Sequence, residues 1–278
     1  MHAPSVAAES GVARLAAIFA ANRAAGRKAV APFVTVGDPD VATTVAVIEA
    51  IDRAGGSLCE LGVPYSDPIA DGPVIQSSYT RALNAGITLD GVFGAAKQAA
   101  ARVSMPLVAM GSYAVIYRRG IGRFVADAVA AGLAGFVVPD LPLEESDDLD
   151  QACRAAGLAL VRLVTPTTPP ERAAQIAARS TGFLYCVSVA GVTGARTDLP
   201  PGLIERVQWL RTKTDVPIMV GFGISGPEQA RQVAEVADGV IVGSALVRLL
   251  DAAADRPTSA LQGEVEGFVA GLVAAVRS

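Results

Sequence analysis

The chain has 278 residues, is 51% hydrophobic and 18% charged, and carries a net charge of −4 with a pI near 5.1. No Lys/Arg cluster offsets that balance, which argues against a nucleic-acid surface, and no apolar run approaches membrane-spanning length. The three cysteines, Cys59, Cys153 and Cys186, are odd in number and lie in apolar or helical contexts, so they read as reduced core thiols of a cytoplasmic protein.

In chain order, an Ala-rich helical pattern at 10–23 precedes an apolar run at 29–34. A helix is predicted at 41–53, a strand at 57–60, and then a long connection at 62–72. A second helical pattern, 73–84, lies inside this βα connection, ahead of the main helix at 89–102. Strands follow at 106–110, 135–138, 159–164, 182–186, 217–220 and 239–242. Helical patterns at 120–131, 144–156, 170–179, 203–212 and 227–237 separate them, and Gly243-Ser244 opens one more. The connection at 188–201 is again long, and long structureless connections in compact domains are often lids or binding loops.

The strands are short, continuously apolar and mostly β-branched, as strands buried on both faces should be. Eight of them alternating with helices call for an α/β fold with a parallel sheet. The count favours a closed (β/α)8 TIM barrel over an open doubly wound sheet. The helix at 10–23 would cap the barrel's bottom. No linker or charge run divides the chain, so residues 1–278 read as one barrel domain, a size that α/β barrels reach at about 250 residues.

The only histidine is His2, near a terminus that frays, which disfavours a catalytic triad, a His-ligated zinc and an imidazole acid/base. The N-terminus also lacks a basic-then-apolar signal pattern. Proton transfer therefore falls to carboxylates, Tyr, Lys or water. The segment 60–76 holds three carboxylates, Glu60, Asp67 and Asp71, among Pro64, Pro68 and Pro73. Carboxylates past a strand's C-terminal end sit where α/β enzymes place their chemistry. At the second strand's end, Glu60 should point into the barrel mouth, where an apolar surround would raise its pKa and suit it to acid and base work. A structural carboxylate paired with Lys or Arg is the alternative. Asp71, before Gly72-Pro73, reads as a second functional carboxylate or as a helix cap. Asp67 reads as solvated or turn-forming.

Glycine clusters top the last three strands: Gly191-Val-Thr-Gly194, Gly221-Phe-Gly-Ile-Ser225 and Gly243-Ser244. One cluster is an ordinary turn; three on consecutive connections suggest a phosphate cradle of backbone N–H groups and a helix N-terminus. Phe33, Ile75, Met110, Tyr185 and Phe222 line the mouth or fill the core.

The segment 60–76 resembles the signature of the tryptophan synthase α subunit family. The resemblance continues through Pro32-Phe-Val-Thr-Val-Gly-Asp-Pro39, Pro139-Asp-Leu-Pro142, the three glycine clusters and Ala245, in order over nearly the whole chain. It implies retro-aldol cleavage of indole-3-glycerol phosphate to indole and glyceraldehyde 3-phosphate. Glu60 matches the acid/base that protonates indole C3, and Asp71 the carboxylate that binds the indole N–H. Gly194, Gly223, Gly243 and Ser244 match the phosphate positions. Phe33, Tyr185 and Phe222 match the indole lining, and Thr193 the lid threonine. Asp140 matches a position facing the β subunit, and Pro64 and Pro68 belong to a rigid loop on the same surface. The resemblance further implies an α2β2 assembly, with PLP on the β subunit alone and neither cofactor nor metal on this chain. Ser112 and Ala114 depart from the pattern, standing where a pocket aromatic and an interface Asn are common, and Val189 stands where many relatives carry a lid arginine. A stand-alone lyase and a non-catalytic activator of a β subunit are the alternatives within the family. A sugar-phosphate isomerase would account for the glycines but not for 60–76.

Overall fold

A computed structural model describes residues 9–69, 71–188, 201–221, 223–252 and 256–277. Eight strands close into a barrel in the order of the sequence. They are β1 (Ala29–Thr35), β2 (Cys59–Gly62), β3 (Leu107–Met110), β4 (Gly135–Val137), β5 (Ala159–Val164), β6 (Leu184–Val187), β7 (Ile218–Gly221) and β8 (Gly239–Val242). Every pairing is parallel, and β1 closes on β8 through Ala29↔Gly239 to Pro32↔Val242.

The continuous apolar runs follow from this closure. Phe33, Val108, Met110, Val137, Val161, Tyr185 and Ile241 belong to an inner cluster. Their strand neighbours Val34, Ala109, Phe136, Leu160, Val220 and Val240 pack outward against helices. Neither face meets water, so period-two alternation of polar and apolar residues is lost.

Helices α1 (Gly11–Ala24), α2 (Val41–Arg53), α3 (Pro73–Asn84) and α4 (Leu89–Ala100) lie in the first half. The first, second and fourth open on side-chain caps: Ser10, Asp40 and Thr88 accept from Ala13 N at 3.2 Å, Thr43 N at 2.7 Å and Gly91 N at 3.1 Å. Leu15 and Phe19 of α1 join the inner cluster, with the Phe19 and Phe183 rings 6.2 Å apart, so α1 plugs the end opposite the strands' C-termini.

After β3 come α5 (Tyr113–Arg119) and α6 (Ile121–Ala130); α7 (Asp147–Ala156), α8 (Pro170–Arg179), α9 (Leu203–Arg211), α10 (Pro227–Ala234), α11 (Ser244–Ala252) and α12 (Thr258–Ala275) complete the chain. The predicted helix at 144–156 is divided, with a 3-10 turn at Leu143–Glu145 ahead of α7. Gly120, at φ +85°, breaks the backbone between α5 and α6. Neither α5 nor α12 was expected. α12 buries Leu261, Val265, Val269 and Leu272 along one stripe, but Gly263, Gly267 and Gly271 weaken its helical pattern. Among the described residues no helix is long and apolar enough to cross a membrane. The three cysteines are buried and unbridged.

Candidate active site

A cleft of about 660 Å³, open to solvent, lies at the C-terminal ends of the strands. It collects Phe33 from β1, Glu60 from β2, Asp71 and Ile75 around the start of α3, Met110 from β3 and Tyr185 from β6. Gly223, Ser225, Gly243, Ser244 and Arg248 bound another part of its wall.

Glu60 is the second residue of β2, in register with Phe33 and Val108, rather than the strand's last. The strand continues because Gly62 leaves room: a Cβ there would come within 2.4 Å of the Phe33 ring and 2.9 Å of the Tyr79 hydroxyl. Glu60 is 3% exposed. Among the described residues its carboxyl makes no ion pair, and Oε1 has no hydrogen-bond partner. The structural alternative, a carboxylate neutralised by Lys or Arg, is therefore not what folds here. Burial, and then the charge of Asp71, push its pKa up to about 8.

Asp71 is not the cap of α3. The N-cap is Gly72, no side chain caps the helix, and Pro73 occupies its first turn. The Asp71 carboxylate instead accepts from the Tyr65 hydroxyl at 3.5 Å. Its pKa is raised to about 6, chiefly by burial and further by Asp140, while the Tyr65 hydrogen bond acts in the opposite sense. The loop carrying it is stitched from behind: Gln76 Nε2 donates to Asp71 O at 2.8 Å and Pro68 O at 3.2 Å. Asp67 is exposed and accepts from Ser66 Oγ at 2.9 Å, in keeping with a turn role. In this loop Pro64 is buried and Pro68 half-buried, whereas Ile69 is 89% exposed.

Asp140 ties two loops together. It accepts from Ser112 Oγ at 2.5 Å and from Tyr113 N at 2.8 Å. Ser112, one of the departures from the family pattern, is thus the N-cap of α5 and shares that duty with Asp140.

Gly223, at φ +84°, turns the chain after β7 into the cleft, and Ser225 follows it. Ser225 donates from both N–H and Oγ to Gln229 Oε1, at 2.7 and 2.8 Å, which fixes the turn to α10. Gly243 and Ser244 enter where β8 passes into α11, so a helix N-terminus faces the cleft. Phe33 and Tyr185 line the interior, as do Ile75 and Met110. Thr193, Gly194, Phe222 and Val189 lie outside the described residues. Arg248 and Ile241 join the lining without having been singled out in the sequence, whereas Ile224 belongs to the glycine cluster at 221–225. The signal for Arg248 is its position one turn after Ser244. Among the described residues no group of three or more His, Cys, Asp or Glu could hold a metal.

The arrangement offers a buried carboxyl with a raised pKa, a second carboxylate beside it, an apolar interior, and a wall that includes Gly223, Gly243 and the start of α11. The family model described as tryptophan synthase alpha chain matches residues 19–275. The tryptophan synthase alpha chain of Rhodopirellula baltica is 52% identical over 248 residues, covering 88% of this chain and 89% of that protein. The one from Microcystis aeruginosa is 48% identical over 260 residues, covering 93% and 97%. Among solved structures, tryptophan synthase from M. tuberculosis superposes at a TM-score of 0.87 with 34% identity, covering 97% of this chain and 99% of that one. The alpha subunit from Legionella pneumophila gives 0.86 and 34%, covering 95% and 98%. On the length of these matches, and on their agreement with the barrel, this chain belongs to the tryptophan synthase alpha chain family.

Proposed function

We propose that Glu60 and Asp71 together cleave the C3–C3′ bond of indole-3-glycerol phosphate, making this chain a carbon–carbon lyase that releases indole and glyceraldehyde 3-phosphate. The observation that carries the reading is Glu60: a buried carboxyl, without an ion-pair partner among the described residues, that shares one cleft with a second carboxylate.

With its pKa raised to about 8, Glu60 is protonated near neutral pH and acts first as an acid. It gives its proton to indole C3. Positive charge then develops at the ring nitrogen, where the Asp71 carboxylate accepts the N–H and stabilises it. Asp71, at about 6, is largely ionised at the same pH. The C3–C3′ bond breaks as the C3′ hydroxyl loses its proton to the Glu60 carboxylate. The bonding electrons return to the indole ring, and the proton resets Glu60. Two carboxyls held at separated pKa values divide the acid and electrostatic roles.

Phe33, Tyr185 and Phe222 are read as the lining for the indole. Gly194, Gly223, Gly243 and Ser244 are read as the phosphate cradle, and Thr193 as a lid contact. The chain is read as one domain, a reading supported by β1–β8 closure and by the packing of α12 on α2, and as a cytoplasmic protein. A β subunit carrying PLP is the proposed partner, in an α2β2 assembly, with Pro64, Pro68 and Asp140 around the contact. The exposed Ile69 and Tyr117 near these loops support that surface.

The test is an indole-release assay with and without a cognate β subunit. Glu60→Gln should fold normally and lose turnover by ~1,000-fold or more, and Asp71→Ala by ~100–1,000-fold while inorganic phosphate still binds. Near-normal turnover in Glu60→Gln would remove Glu60 from the mechanism. Release that is fast alone and unresponsive to a β subunit would favour the stand-alone lyase.

A further inference from the structure

We propose that Arg248 binds the phosphate of the substrate, reaching it from the second turn of α11. The inference rests on the lyase reading above and names a residue that the glycine clusters do not include.

Among the described residues lining the cleft, Arg248 is the only cation; the carboxyls beside it are Glu60 and Asp71. A phosphate ester arrives with close to two negative charges. The backbone N–H groups around Gly223 and Gly243 and the Ser244 hydroxyl supply dipoles but no full charge. Two carboxyls in the same cleft oppose the anion, so a balancing cation decides which end of the cleft it occupies.

Helix geometry puts Arg248 in position. Ser244 is the first residue of α11, and Arg248 is four residues on, on the same face. Side chains on an α-helix lean toward its N-terminus, so the guanidinium is directed back toward Ser244. The guanidinium is also uncommitted. Its near neighbour on α11, Asp251, is held by Arg81 at 3.1 Å, and Arg81 in turn holds Asp38 at 2.7 Å. Among the described residues Arg248 forms no ion pair, and it is exposed, so its substitution leaves no buried group behind. A planar fork of N–H donors fits two phosphate oxygens at once, which a lysine ammonium does not.

Two measurements test this: steady-state kinetics with indole-3-glycerol phosphate, and calorimetric binding of inorganic phosphate. Arg248→Gln should raise KM by ~10-fold and weaken phosphate binding by a similar factor, with kcat falling less than KM rises. Arg248→Lys should recover part of both. Arg256→Gln, which removes a surface cation paired with Glu264, should change neither and so controls for net charge. KM and phosphate affinity within twofold of the parent in Arg248→Gln overturn the proposal, as do equal losses in Arg256→Gln. If the parent chain releases no indole, the lyase reading fails, and the phosphate measurement alone then decides for or against Arg248. If the parent is active and Arg248→Gln is unchanged, only Arg248 is misassigned.

Discussion

Asp71 is held by groups that oppose one another. Burial raises its pKa, the Tyr65 hydroxyl lowers it by bonding the ionised form, and the charge of Asp140 raises it again. The Tyr65 ring lies 5.6 Å from that of Tyr79, which aims the phenol along the loop at Asp71 Oδ2. Tyr65→Phe deletes the hydroxyl and keeps the ring contact. Without the lowering influence, Asp71 stays protonated to higher pH, so the acid limb of kcat/KM should move up by about half a pH unit. Asp140→Asn removes a repelling charge and should move the same limb down. A pH–rate profile of the two variants reads both signs. A limb fixed in both would mean that a group other than Asp71 sets it.

At the scale of elements, the cleft depends on how β6 meets β7. A Cβ on Gly221 would lie 2.3 Å from the Tyr185 hydroxyl, and Tyr185 is 4% exposed with little room to retreat. Gly221→Ala should therefore push the phenol into the cleft. Urea unfolding should report a loss of about 1–3 kcal/mol, and KM should rise with it. Unchanged KM beside lost stability would show the ring moving away from the cleft instead. The elements also differ in how they could be read from sequence. Strands buried on both faces betray themselves as unbroken apolar runs, and α1, α2 and α4 carry their own caps. α5 was hidden because its first N–H groups are bonded partly by Asp140, 27 residues further on. α12 was hidden by its three glycines. Glu60, Asp71 and the glycines after β7 and β8 stood out because each sits in a short stretch of unusual composition. Arg248 did not, since an arginine in the second turn of a helix reads as a solvated face until the fold turns that face to the cleft.

For the molecule as a whole, the catalytic acid sets folding against function. The Glu60 carboxyl titrates at an ordinary value of 4.5 when exposed and at about 8 in the barrel. The folded chain therefore binds this proton more tightly than the unfolded one. The stability linked to it is fully present below 4.5 and is lost as pH rises through 8, where the barrel must hold an unpaired buried anion. Glu60→Gln is neutral at every pH and escapes that loss. Its stability relative to the parent should rise between pH 5 and pH 8, by about 1–3 kcal/mol after discounting for solvent reorganisation around the open cleft. Urea unfolding of both chains across that range measures the difference. The slope is the diagnostic quantity, because a constant offset reports only the repacking of an amide for an acid. Parallel stability curves would mean that Glu60 ionises normally, and the acid-first mechanism would lose its proton donor. A positive slope would show that ionising Glu60 costs the fold stability, the signature of a residue held in place for chemistry rather than for the fold.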